Sequence, residues 1–183
     1  MTVTVAPTAL GRLVATRGVQ AGIRIAIPVA AMSAHACTVW AAGDAAPLVG
    51  LVVFALAIVC TLAPDSHLGL LVTVIVGVHW LIAVEDVGTP WSVGAGASLG
   101  VFHAAMAAAT VGPPSARWTS AMVRRWSLRT ALALAGSPVV WAAVSLVGAS
   151  RSGGNDVLLV AALAGLAVAA TWVRARTLGR ADP

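Results

Sequence analysis

The sequence predicts an all-α integral membrane bundle of six transmembrane helices with both termini in the cytoplasm. Three observations carry this. Six apolar runs of spanning length are separated by short turns. Charged residues make up only 9% of the 183, against about 25% in an ordinary soluble domain. And ten of the eleven arginines fall on one side once the runs are threaded back and forth.

About 20 apolar residues cross the hydrocarbon of a bilayer, with a range of about 17–25. Runs of that kind occupy 25–43, 46–63, 68–84, 93–112, 130–149 and 157–173. Between them stand breaker residues: Gly43-Asp44, Pro64-Asp65-Ser66, Gly88-Thr89-Pro90, Gly112-Pro113-Pro114 and Ser152-Gly153-Gly154-Asn155. Unpaired backbone groups are not tolerated in lipid, so runs this long are helices. They lack the apolar–polar alternation of barrel strands. The short connections make consecutive helices antiparallel neighbours.

The arginines then orient the chain. Arg12, Arg17 and Arg24 belong to an N-terminal tail, residues 1–24. Arg117, Arg124, Arg125 and Arg129 lie between the fourth and fifth spans, and Arg174, Arg176 and Arg180 in a C-terminal tail, 174–183. With six spans these three groups share a face, and only Arg151 is opposite. Short arginine-rich loops stay cytoplasmic, which predicts a multi-pass protein of a bacterial plasma membrane. Lysine is absent and Ala, Val and Gly abound, the composition of a GC-rich genome. The net charge of +5 reads as orientation and contact with anionic lipid headgroups, not as nucleic-acid binding.

The N-terminus admits a rival reading. Ala34-His35-Ala36 before Cys37 has the form of a signal-peptidase site. The charged region before it is long, Pro28 interrupts the apolar core, His35 sits where a small residue is wanted, and hydrophobicity continues through Trp40. These features favour an uncleaved first span. The cysteines belong to different depths. Cys37 lies about 9 Å inside the outer end of its span and Cys60 near the inner end of the next, so no disulfide is expected.

In lipid, helices approach closely through small residues at four-residue spacing. Such rows run through Gly22, Ala26, Ala30 and Ala34, through Gly96, Gly100, Ala104 and Ala108, and through Ala161, Gly165 and Ala169. Spans one and four also share Ala-Gly followed by Ala-Ala-Met at one offset, but the other spans show no matching repeat.

Polar groups inside the membrane are the candidates for chemistry. His35, His79 and His103 lie about 12, 8 and 15 Å from the outer ends of spans one, three and four. Ionisable groups at such depth are costly and often face a cavity or a partner. Two histidines on different helices can ligate haem, three can hold a metal, and a relay can pass protons; neutral histidines bonded across helices are the bland alternative. No two share a helix at metal-ligand spacing, so neither a metal nor a cofactor is predicted. Glu85 and Asp86 form an acidic turn between Trp80 and Trp91, a candidate outer site for a cation or a basic segment. On the inner side, Trp118, Met122 and Trp126 recur every four residues beside Arg117, Arg124, Arg125 and Arg129. The stretch 116–129 therefore reads as an interfacial helix among lipid headgroups, or as a partner surface.

The stretch from His79 to Trp91, with Val101-Phe102-His103-Ala104-Ala105-Met106 and Pro113-Pro114, resembles uncharacterised polytopic membrane proteins of actinobacteria. Some of those are encoded beside MoxR-type AAA ATPases. The resemblance covers the middle third of the chain and implies an envelope-associated accessory role, with no catalytic residues attached. The residues themselves show no catalytic constellation, DNA-binding motif or ATP-binding loop. The leading expectation is a non-enzymatic accessory or scaffold subunit, bound to other membrane subunits. A small-solute or ion transporter using the histidines, and a haem-binding redox protein, are the alternatives.

Overall fold

The computed structural model describes residues 18–86, 88–111 and 118–149. Among these, all regular structure is helical: α1 (Val19–Ala42), α2 (Pro47–Leu62), α3 (Leu68–Ala83), α4 (Trp91–Thr110) and α5 (Ser120–Ala149). The chain divides into two compact units at Pro138, inside α5, and the first of them holds α1 to α4 with the opening turns of α5. The run 157–173 and the arginines at 12, 17, 117, 151, 174, 176 and 180 lie outside the described residues.

Local chemistry sets the helix ends. Gly43 closes α1 in the left-handed conformation at φ 69°, its N–H bonded to the Val39 carbonyl, a geometry that penalises any residue with a Cβ. Pro47 opens α2 at its first position, where the missing N–H is not needed. Thr119 precedes α5, and its hydroxyl accepts the Met122 N–H at 3.3 Å, an N-cap bond.

α1 is the centre of the bundle, packed along α4 and α2 and touching α3. Its buried stripe is polar at both ends and apolar between: Gln20 and Arg24, then Ile27, Ala31 and Ala34, then His35 and Thr38. α2 contributes Val53, Ala57 and Cys60 at helical spacing, α3 Val72 and Val76, and α4 Phe102, Ala105, Met106 and Ala109. Cys37 and Cys60 are free and buried. The outside is also apolar: Leu81 and Ile82 are 76% and 81% exposed, and Leu48 and Leu70 face outward with them. α1, with 24 residues, and α4, with 20, are long and apolar enough to cross a membrane. α2 and α3, with 16 each, are shorter apolar helices of about 24 Å.

The structure corrects three expectations. α1 begins at Val19, so Arg24 belongs to the helix and is buried, not part of a free tail. The interfacial helix 116–129 and the span 130–149 are not separate elements: one 30-residue helix runs from Ser120 to Ala149. A change from charged to apolar side chains does not interrupt a backbone, and no helix-breaking residue stands at the junction. Finally, the small-residue rows are only partly packed. Ala30 and Ala34 are buried, whereas among the described residues nothing stands where a Cβ of Gly22 or Gly96 would be, and Gly100 meets Leu134 of α5.

At four of the described glycines a Cβ would come within 3.0 Å of a neighbouring side chain, and two of them contrast. A Cβ at Gly50 would lie 2.8 Å from His35 Nε2, and one at Gly69 2.9 Å from Met106 Cε. The first neighbour is a buried ring and the second the free end of a flexible chain. Gly50→Ala should therefore cost about 1–3 kcal/mol by overpacking. Gly69→Ala should be close to neutral, because Met106 can swing aside and alanine favours the helix by about 1 kcal/mol. Unfolding of both variants in mixed detergent micelles tests the contrast.

Candidate intramembrane polar site

Two polar clusters occupy opposite ends of the bundle. At the end where α1 and α3 finish, His35 and His79 meet with ring centres 5.3 Å apart and planes tilted by 32°. His35 is 6% exposed, and the absence of a side chain at Gly50 lets its Nε2 approach α2. The Nδ1 atoms of both rings are buried and have no partner among the described residues. Above the pair, towards the helix ends, Trp40 and Trp91 meet with ring centres 4.9 Å apart and planes tilted by 46°. Beside it, the Cys37 sulfur packs against Gly94, where a Cβ would come within 2.9 Å.

His103 is elsewhere. It lies on the exposed side of α4 and meets Thr73 of α3, Nε2 to Oγ1, at 2.9 Å. The Thr73 hydroxyl donates its one proton to the Gly69 carbonyl at 3.0 Å, so it accepts from His103, which then carries its proton on Nε2. The histidines thus form one pair and one separate cross-helix bond. Two axial imidazoles of a haem stand on opposite faces of the macrocycle; here the rings pack directly on each other.

The second cluster, at the start of α1, is one that sequence reasoning missed. Pro28 has no N–H to give the Arg24 carbonyl, so the normal helix bond there is missing. Thr61, near the end of α2, lies beside it: its hydroxyl donates to Ala57 O at 2.9 Å, and Arg24 O is a longer contact at 3.5 Å. In return the Arg24 guanidinium donates to the Thr61 carbonyl. That carbonyl belongs to the last turn of α2, where no intrahelical donor remains and the helix dipole favours a cation. One turn earlier Gln20 is fully buried, its amide without a partner among the described residues. A signal for the cluster does exist in the sequence: Gln20, Arg24 and Pro28 recur every four residues.

The acidic turn and the arginines of α5 lie at the surface. Asp86 accepts the Gly88 N–H at 2.8 Å and so shapes its own turn, while Glu85 is exposed. Arg124, Arg125 and Arg129 are exposed along the first turns of α5. Trp118 and Trp126 pair at 6.2 Å and share a cavity of about 170 Å³ with Val19, Ile23 and Ala105. Arg129 lines a neighbouring cavity of about 350 Å³ with Gly96, Gly100 and Leu134. Among the described residues no three His, Cys, Asp or Glu side chains converge as a metal cluster would require. Neither protein-family models nor curated proteins nor solved structures match this chain.

Proposed function

We propose that the chain is a six-span protein of a bacterial plasma membrane, with both termini cytoplasmic, serving as a non-enzymatic accessory or scaffold subunit of a membrane complex. The aromatic pairs support the membrane part. Tryptophans gather at the two interfaces of a bilayer. From Ile23, beside the Trp118–Trp126 pair, to Trp40 in the other pair, α1 rises about 26 Å, near the about 30 Å hydrocarbon thickness. The shorter α2 and α3 fit by local thinning of the bilayer. Exposed arginines accompany the first pair and exposed carboxylates the second, the polarity expected of an inner and an outer face.

The observation that carries the scaffold reading is the outward face of α4. Among the described residues Gly96 has nothing within 4 Å of a Cβ position, and it lines a cavity between α4 and the first turns of α5. In lipid, a small-residue face left open is where another helix can make close backbone contact. The apolar core between the two polar clusters also favours a packing role over a conduit. Native purification in mild detergent should recover the chain with a stoichiometric membrane partner. A photo-crosslinker at Gly96 should capture that partner, and one at the outward-facing Phe54 of α2 should not. Recovery of the lone chain from native membranes, with no crosslink at either position, rules the scaffold role out.

A further inference from the structure

We propose that the groove between α4 and α5 binds one anionic phospholipid of the inner leaflet, with an acyl chain along the groove and the phosphate at Arg129. This site rests on the membrane part of the proposed function and not on the scaffold part, which sets a partner helix against Gly96 at the far end of the same groove.

The groove is apolar along its length and charged at one end. A cavity of about 350 Å³ lies between Gly96, Gly100 and Ala104 of α4 and Trp126, Arg129 and Ser137 of α5. That volume falls within the range of about 300–1,000 Å³ usual for ligand pockets. The cavity of about 170 Å³ adjoins it at Ala104, Trp126 and Thr130, which line both. Gly96, Arg129 and Ala133 are exposed, so the groove is open sideways, where a bilayer meets the bundle. Among the described residues nothing lies within 4 Å of a Cβ at Gly96, so a larger residue there has room to narrow the groove.

Length and charge select the occupant. From Trp126 to Ser137 α5 rises about 17 Å, close to the about 15 Å of one leaflet, half of a hydrocarbon core about 30 Å thick. Among the described residues that line the groove Arg129 alone is charged. Arg125 is exposed one turn earlier on the same helix. Trp126 lies at this end too, as tryptophans do at the edge of a bilayer. A guanidinium holds a phosphate through two parallel hydrogen bonds, and anionic lipid of the cytoplasmic leaflet attracts arginines to its surface. An apolar helix laid in the groove offers Arg129 no such anion.

The test is native mass spectrometry of the purified full chain, stripped of lipid in detergent and titrated with phosphatidylglycerol or phosphatidylcholine of identical chains. One phosphatidylglycerol per chain is expected, bound about fivefold or more tightly than phosphatidylcholine, the worth of one arginine near anionic headgroups. Arg129→Gln should erase that preference. Gly96→Leu should weaken both lipids while helicity and elution volume stay as in the wild type. Arg124→Gln removes the same charge from α5 outside the groove and should cost less than Arg129→Gln. Equal losses in the two arginine variants reduce the effect to diffuse attraction and overturn the site. So does a folded wild type with no preference, or undiminished binding in Gly96→Leu. In native membranes a photo-crosslinker at Ala133 should capture phospholipid; a protein captured there without lipid gives the groove to a helix and overturns the lipid. A lone chain from native membranes removes the scaffold reading and leaves these titrations unchanged, whereas a chain soluble without detergent removes the membrane reading itself.

Discussion

Phe102→Ala should lower the stability of the bundle by about 3 kcal/mol or more, the lower end of the range for a phenylalanine truncated inside a core. Phe102 is fully buried and is the largest such side chain among the described residues; it belongs to one core cluster with Ala30, Ala31, Val72 and Met106. In a membrane the transfer from water is largely absent, so packing carries the effect. Small neighbours cannot close the cavity, and the contacts they lose are dispersion contacts. Phe54, the only other phenylalanine, is 47% exposed, and Phe54→Ala should cost less than about 1 kcal/mol, as for a side chain outside the packed core. Reversible unfolding in mixed micelles compares the two. Equal losses would show that the core does not centre on Phe102.

Arg24→Ala should cost about 1.5–3 kcal/mol, the range for hydrogen bonds made by a charged group. It removes the donor to the Thr61 carbonyl and exposes the weakness at Pro28, where the helix lacks one of its own bonds. Lysine should restore only part of the loss, since an ammonium lacks the planar fork of a guanidinium. Pro28→Ala in the Arg24→Ala background should recover stability, because it gives the Arg24 position back its backbone donor. A double variant no more stable than Arg24→Ala would separate the proline from the arginine. Thermal unfolding followed by far-UV circular dichroism measures all three.

Features that depend on long averages are the most legible in this sequence. The apolar runs at 46–63 and 68–84 contain α2 and α3, because run length and breaker residues act locally and are written in order. Junctions are less legible. Charge gives way to hydrophobicity near residue 130, yet Thr119 and the continuous backbone after it decide where α5 begins. Likewise Arg24 reads as a tail charge, because nothing local reveals that a carbonyl on α2, thirty-seven residues onward, receives it. The histidines divide in the same way. The sequence reading puts all three in one half of a membrane, but the rotation of each helix about its axis decides which touch. That rotation brings His35 to His79 and sends His103 to Thr73.

The exchange between Arg24 and Thr61 also bears on how the chain enters a bilayer. In the membrane reading α1 emerges before α2 during synthesis, carrying a guanidinium and a backbone carbonyl that meet the end of α2. Only the short turn at 43–46 separates the two helices. The unit with its polar groups matched is therefore the α1–α2 hairpin, not the single helix. Insertion should proceed by hairpins, and a chain stalled after α1 should remain extractable at alkaline pH until α2 has left the ribosome.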